Sequence, residues 1–348
     1  MKLLIVTQKV DKNDSTLGFF HGWLKEFARH CEQLTVICLE KGEYDLPDNV
    51  KILSLGKEKG ESRTKYLQNF FKYIYQEKNN YEAVFVHMNP EYAVLSGLLW
   101  RAWGKKIGLW YTHKSVNFKL ILAEKLAHVV FTASKESFRL KSDKLVVTGH
   151  GIDVEKLKGK SNKEKVGDKF NIVSVGRISP VKKYETLIEA VKILIGDRVK
   201  VHVKIVGGPG TPEQEDYFGS LKKKVQESGL SDVVEFVGKI PNTDIVKYLQ
   251  EADLFVNLSE TGSLDKAVLE AMACNVDVLT SNEAFRGMLP QECMVENNKE
   301  SVAKALSKKI EQPNHIQLRS IILEKHNLTS LIERIVKRLS LPGSSAKR

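Results

Sequence analysis

Short apolar runs alternate with helical patterns along this chain, and they do so in two sets. The first set of runs lies at 3–7, 34–38, 51–55, 83–87, 106–111, 128–132 and 145–148. These runs are rich in Val, Ile and Leu and show no polar–apolar alternation. Strands read that way when both faces are covered, which points to a parallel sheet with helices on either side. Helical patterns at 20–31, 64–76, 92–103 and 118–126 fall between them. The polar stretch KLKGKSNKEKVGDK at 156–169 then interrupts the pattern and reads as a linker. The alternation restarts with strands at 171–175, 202–206, 234–237, 254–258 and 277–280. Helices are expected at 184–194, 215–228, 242–251 and 266–274, and helical sequence resumes from 299. HNLTSLIERIVKRL at 326–339 is an amphipathic terminal helix, and 342–348 reads as a frayed tail.

The expectation is therefore an α/β protein of two doubly wound, Rossmann-like domains facing a cleft. A length of 348 residues fits two domains. The boundaries predicted are 1–158, a linker at 159–169, 170–325, and a terminal helix and tail at 326–348 that returns to the N-terminal domain. No run of eighteen apolar residues occurs, so no membrane-spanning helix is expected. LLIVT after Met1 and Lys2, followed by a polar stretch at 8–15, reads as a first buried strand and not as a signal peptide. Cys31, Cys38, Cys274 and Cys293 have no metal-ligand spacing. Cys31, Cys38 and Cys274 sit in or beside apolar runs and fit buried thiols, and a reducing cytoplasm is the simplest setting. The net charge is +11 and uneven: residues 1–160 hold 26 Lys/Arg against 18 Asp/Glu, residues 161–348 hold 28 against 25. A basic N-terminal half suits an acidic lipid surface, an anionic glycan or nucleic acid, or is simply a solvated face.

Two strand–loop–helix segments carry the groups suited to chemistry. In NIVSVGRISPVKKY, Gly176 ends a strand, Arg177 follows it, and Lys182 stands just before a helix. A helix entrance presents backbone N–H groups and a positive dipole end, and two cations beside it make a seat for a diphosphate. Taken alone, Arg and Lys on a loop are as readily ordinary surface charges. In ADLFVNLSETGSLDKAVLEAMAC, Glu270 lies four residues into an otherwise apolar helix. Such a carboxylate must find a partner or face a cleft, where it could accept bonds from two ribose hydroxyls. A structural salt bridge is the plain alternative.

This pattern resembles the C-terminal half of the family 4 retaining glycosyltransferases, which have the GT-B fold. The resemblance implies that Arg177 and Lys182 bind the donor diphosphate and that Glu270 holds the nucleotide ribose. It implies a nucleotide-diphosphate sugar donor, a glycan or lipid-linked acceptor, retention at the anomeric carbon, and no cofactor or essential metal. Two positions depart from the pattern. Lys183 stands where a glycine is usual. The first glutamate of the family's Glu-x7-Glu motif falls at Gly262 and is absent. Backbone N–H groups of Gly262, Ser263, Leu264, Asp265 and Lys266 remain available to a sugar or phosphate, and Asp265 or Glu260 is a candidate substitute carboxylate. Gly207, in the run VGGPG, is expected to line the nucleotide site, and the loop at 282–286 to approach the donor.

In the N-terminal half, Gly18 matches a glycine-rich loop that approaches the donor phosphate in the family. His113, at a strand end, corresponds to a histidine that contacts sugar or acceptor; His87 is a second candidate, and either fits a structural role. GHGID at 149–153 resembles the family's Asn-Gly-Val-Asp stretch, with His150 for the asparagine. Asn257-Leu258-Ser259 fits a glycosylation triplet without a secretory signal to support its use. The segment RTKYLQNFFKYIYQEK at 63–78 combines an apolar stripe of Leu67, Phe70, Phe71 and Ile74 with flanking tyrosines and basic residues. It packs on the sheet or meets a membrane interface. The resulting expectation is a cytoplasmic glycosyltransferase, in peripheral contact with the inner membrane face through its basic N-terminal domain, and no nucleic-acid binder. The rivals are a non-catalytic nucleotide-sugar or glycan-binding protein on the same fold, favoured by the missing glutamate, and an epimerase-like enzyme.

Overall fold

The computed structural model describes residues 1–159, 169–196, 199–313 and 316–341. Most of the predicted linker, and the tail from Pro342, lie outside them. The chain forms two compact units, one of Met1–Asp153 with the segment from Lys325, the other of Val154–Glu324.

The first unit runs β1 (Lys2–Val10), α1 (Gly18–His30), β2 (Gln33–Lys41), β3 (Val50–Ser54), α2 (Arg63–Gln76), β4 (Ala83–His87) and α3 (Pro90–Ala102). It continues with β5 (Lys106–Trp110), α4 (Phe118–Leu126), β6 (Val129–Thr132) and β7 (Leu145–Val147). The second unit holds β8 (Phe170–Val175), α5 (Tyr184–Gly196), β9 (Val201–Val206), α6 (Pro212–Glu227), β10 (Val234–Gly238) and α7 (Ile245–Glu251). After these come β11 (Leu254–Asn257), α8 (Lys266–Ala273), β12 (Asp277–Thr280), α9 (Lys299–Glu311) and α10 (Arg319–Lys325). A last helix, α11 (Leu328–Ser340), returns to the first unit.

The first sheet has the order β3-β2-β1-β4-β5-β6-β7 and the second β10-β9-β8-β11-β12. Every strand pair in them is parallel. The apolar runs have the reason anticipated for them. Leu3 and Ile5 of β1 enter one apolar cluster, while Leu4 and Val6 enter the cluster on the opposite face. β1 and β2 extend further than their apolar runs. Lys9 and Val10 pair with Glu40 and Lys41, and the Lys9 ammonium binds Glu40 at 2.8 Å and Asp14 at 2.9 Å. A charged ladder thus continues the strand where hydrophobicity stops.

α11 belongs to the first unit because of its apolar face. Leu328, Leu331, Ile332, Ile335 and Leu339 are buried in the same cluster as Trp23, Leu24 and Phe27 of α1. Full burial of such side chains stabilises by roughly 1.5–3 kcal/mol each. The GHGID stretch anchors its entrance: Ile152 N donates to His326 O at 2.6 Å, and Leu328 N donates to Ile152 O at 3.0 Å. In the second unit Arg319 gathers the chain after Asp153, donating from Nη2 to Val154 O at 2.8 Å. On α2, Phe70 and Ile74 are buried and pack on the sheet, whereas Leu67 and Tyr75 of the same helix are exposed. No helix among the described residues is long and apolar enough to cross a membrane.

Two buried histidines make the first unit acid-sensitive. Burial, and then the neighbouring His150, pushes His87 down from 6.5 to about 3. Burial, and then Lys325, pushes His326 down to about 4. Both groups take up protons on unfolding at any pH between those values and 6.5. Their contribution to stability is complete above 6.5 and declines as pH falls below it. The unfolding midpoint in urea therefore falls between pH 6.5 and about 5.5, above the range where ordinary carboxylates titrate, and His87→Gln flattens the profile. A midpoint that is level across that window would contradict the burial of these rings as neutral groups.

Candidate active site

Functional groups of the second unit collect at the carboxyl ends of its parallel strands, beside the central strand β8 where the order reverses. Ligands of open α/β sheets bind at such points. The ends of β8 and β9 are held close together. Gly176 N donates to Val206 O at 2.9 Å, and Ile178 N donates to Gly208 O at 3.1 Å. Gly207 has φ +138°, and a Cβ there would overlap the carbonyl oxygen of Gly176, so only glycine allows the approach. Arg177 leaves this junction exposed, its stem against Gly210.

A single 3-10 turn, Pro180–Lys182, carries the chain back. Lys182 thereby returns over Gly176, where an added Cβ would stand 3.3 Å from its Cε. Tyr184, buried at the start of α5, donates from its hydroxyl to Gly176 O at 3.2 Å. Burial, and then Asp265, holds that phenol well above its usual range, so it stays a neutral donor. The junction between turn and helix falls on Lys183, at φ +52° and ψ +43°. This is the position where the resembled family has glycine.

The Lys182 ammonium binds the Asp265 carboxylate. Asn257, at the end of β11, donates to the same carboxylate oxygen at 3.0 Å, and Thr280 on β12 donates to Asn257 Oδ1 at 3.3 Å. The loop after β11 is tied on both sides. Glu260 N donates to Val181 O at 3.0 Å, and Asn282 Nδ2 donates to Ser263 O at 2.9 Å. Gly262, in this loop, takes the left-handed conformation at φ +63°. A glutamate in that conformation would cost about 1–2 kcal/mol more than glycine. One turn into α8, buried Glu270 is bound through Oε1 by Lys266.

The structure thus brings Gly176, Arg177, Lys182, Gly207, Gly262, Ser263, Leu264, Asp265, Lys266 and Glu270 to one edge of one sheet. It also shows that Lys182 and Glu270 already have partners, Asp265 and Lys266, while Arg177 stands exposed. Glu260 turns to Asn297 Nδ2 at 2.9 Å and Lys183 at 3.5 Å. Gly18 and His113 belong to the other unit. Gly18 opens α1, its N–H on Asp14 O at 3.0 Å. His113 is exposed on the loop after β5 and accepts from Ser115 N through Nδ1 at 3.1 Å, which leaves the proton on Nε2. His87 is only 2% exposed, stacks on Phe20 at 4.0 Å and bonds Thr7 at 3.0 Å; it is a core histidine. Asn257 is likewise buried and serves the loop, not glycosylation. Asn257, Thr280, Asn282 and Tyr184 are supports that the sequence reading missed. The signal available for three of them was their position at a strand end.

Residues 153–319 match the family model described as Glycosyl transferases group 1. The amylovoran biosynthesis glycosyltransferase AmsK of Erwinia amylovora is 30% identical over 149 residues, which are 41% of this chain and 35% of that protein. D-inositol 3-phosphate glycosyltransferase 2 of Catenulispora acidiphila is 30% identical over 142 residues, 38% of this chain and 33% of that protein. The aligned region spans about a third of the length of these curated relatives. Among solved structures, HepE of Anabaena in complex with UDP and glucose superposes with a TM-score of 0.78 at 17% identity, covering 98% of this chain and all of that one. Sucrose-phosphate synthase of Thermosynechococcus elongatus gives 0.76 at 15% identity, covering 97% and 98%. The match to the group 1 glycosyl transferase model is confined to residues 153–319, and the fold is GT-B.

The left-handed Lys183 yields a stability prediction. Lys183→Gly relieves about 1–2 kcal/mol of backbone strain and returns part of it as unfolded-chain entropy. The variant should gain about 0.5–1 kcal/mol in denaturant unfolding. A loss of stability would mean that the Lys183–Glu260 contact outweighs the strain.

Proposed function

We propose that the protein is a family 4 glycosyltransferase that moves a sugar from a nucleotide-diphosphate sugar to an acceptor hydroxyl, with retention at the anomeric carbon. The observation that carries this reading is the convergence of Arg177, Lys182 and Glu270 on one sheet edge, beside the loop Gly262–Lys266 that opens α8. In this reading the donor diphosphate sits between Arg177 and Lys182 at the α8 entrance, where backbone N–H groups and the helix dipole favour an anion. It competes with Asp265 for the Lys182 ammonium. As the acceptor oxygen bonds to the anomeric carbon on the face the diphosphate leaves, the bond from that carbon to the diphosphate breaks and the acceptor's hydroxyl proton passes to the departing phosphate oxygen. Arg177 and Lys182 then neutralise the charge arriving on the leaving group. Glu270 accepts the ribose hydroxyls through the oxygen that Lys266 does not hold. No metal is assigned a part, because the two cations supply the charge.

The resemblance would give Gly18 a part toward the donor phosphate and His113 a part as a donor from Nε2 to a sugar hydroxyl. The acceptor we infer is a glycan or a lipid-linked glycan, in keeping with relatives named for polysaccharide biosynthesis. The basic N-terminal half, with exposed Leu67, Tyr75, Leu98 and Phe118, supports peripheral contact with a membrane bearing such an acceptor. Four buried free thiols support a cytoplasmic setting. HepE, a structural neighbour, was solved with UDP and glucose, which makes uridine diphosphate sugars the first donors to try.

Gly262 in place of the first motif glutamate favours a second reading, a non-catalytic nucleotide-sugar binder. Donor hydrolysis and transfer, followed with UDP-, GDP- and ADP-sugars, separate the two. Turnover with one donor that falls by about a hundredfold or more in Lys182→Ala supports the transferase. Tight donor binding without turnover by the wild type, with or without glycan acceptors, supports the binder.

A further inference from the structure

The first sheet has a second edge, opposite the loops that carry Gly18 and His113. Met1, Glu82, Lys106 and His128 stand at the amino ends of β1, β4, β5 and β6. With Arg101 and Lys105, from the end of α3 and the turn after it, and with Leu339, Ser340 and Leu341, they line a pocket of about 650 Å³. That is the size of a small-molecule site. Four of its lining side chains are basic or titrate to a cation, and one, Glu82, is acidic.

The cations have few partners for the donors they carry. Among the described residues none of Arg101, Lys105 and Lys106 forms an ion pair. Each instead donates to one carbonyl: Arg101 Nε to Leu126 O at 2.9 Å, Lys105 Nζ to Tyr81 O at 2.6 Å, Lys106 Nζ to Leu341 O at 2.6 Å; the Lys105 ammonium also lies over the Tyr81 ring, 5.0 Å from its centroid. An ammonium has three N–H groups and a guanidinium five. His128 accepts from Ile107 N through Nδ1 at 3.0 Å, so Nε2 is a further donor. The group is also under strain. Burial lowers the pKa of Lys105, against the nearby Glu82 carboxylate, which raises it. Burial, and then Arg338, lowers that of Lys106. Burial, and then Arg101, Lys106 and Lys144, lowers that of His128. Capping helix ends explains Lys106, on the carbonyl that follows α11, and Arg101, on the last carbonyl of α4. It does not explain four basic groups around one cavity. An oxyanion with several charged oxygens would satisfy their donors and relieve their repulsion together.

We infer that this pocket is a second ligand site, taking the phosphate group of a small phosphorylated molecule or of a phospholipid head, apart from the donor site of the other unit. Because Leu339, Ser340 and Leu341 form one wall, a bound phosphate would join the end of α11 to the sheet and stabilise the unit that α11 completes.

Calorimetric titration of the full chain with glucose 6-phosphate, and sedimentation with phosphatidylglycerol against phosphatidylcholine vesicles, test the inference. Lys182→Ala serves as the background, so that phosphate bound at the donor site does not count. Saturable binding of glucose 6-phosphate marks a soluble ligand; sedimentation with phosphatidylglycerol alone marks a lipid head. Either must weaken by about tenfold or more when Arg101→Gln and Lys105→Gln remove two charged donors. Should that pair fail to fold, Arg101→Gln alone, at an exposed position, must weaken binding, and the His128 titration in the Lys182→Ala chain must move upward when the probe is added. Binding that is unchanged in these variants, or no binding of either probe by the folded protein, would overturn the inference.

Discussion

The contact between the Lys182 ammonium and the Asp265 carboxylate organises the C-terminal unit. The two side chains are only 13% and 14% exposed, so neither is well solvated and each needs the other. Their meeting fixes the turn after β8 against the loop after β11, elements 83 residues apart. Asn257 and Thr280 extend the contact to the strands beneath, and the Glu260–Val181 backbone bond repeats it one step away. Removing either charge would leave its partner buried and uncompensated, which is more damaging than the pair is stabilising. A ligand anion is one of the few things that can replace Asp265 at low cost.

That arrangement makes the unliganded site nearly neutral. Lys182 is matched by Asp265 and Glu270 by Lys266, while Arg177 stays exposed. An incoming diphosphate would meet Arg177 first and would then compete for Lys182. The first unit follows a different logic. Its sheet is buried on both faces, and α11 closes one of those faces with five apolar side chains. The two units therefore share a chain that leaves the first, builds the second and comes back.

Much of this was legible in the sequence because its cause is local. Strands buried on both faces must be apolar at every position, so β1, β4 and β11 announce themselves. α11 was visible because its apolar residues recur at helical spacing, and its return to the first unit agreed with the resemblance. Arg177, Lys182 and Glu270 could be singled out because they hold the offsets from strand ends and helix starts that the resemblance supplies, and the fold brings them to one sheet edge. What stayed hidden depends on residues distant in sequence. The run of β1 to Val10 rests on Lys9 meeting Glu40 across the sheet. Asp265 was a candidate sugar ligand in the sequence, and only the fold shows it bound to Lys182. Lys183, left-handed where the resembled family has glycine, meets Glu260 at 3.5 Å, a contact between residues 77 positions apart. His87 looked like a strand-end ligand, and its ring proved to be core, because nothing in AVFVH signals the stacking of Phe20.

The central claim is that Glu270 and the two cations form a nucleotide diphosphate site. Isothermal titration of the wild type and Glu270→Ala with UDP, GDP and ADP tests it most directly. The account predicts binding of one of the three, weakened by about tenfold or more in the variant, since the lost ribose hydrogen bonds are to a charged acceptor. No binding of any nucleotide to the folded wild type, or equal affinity in Glu270→Ala, would contradict it and leave these residues as structural charges.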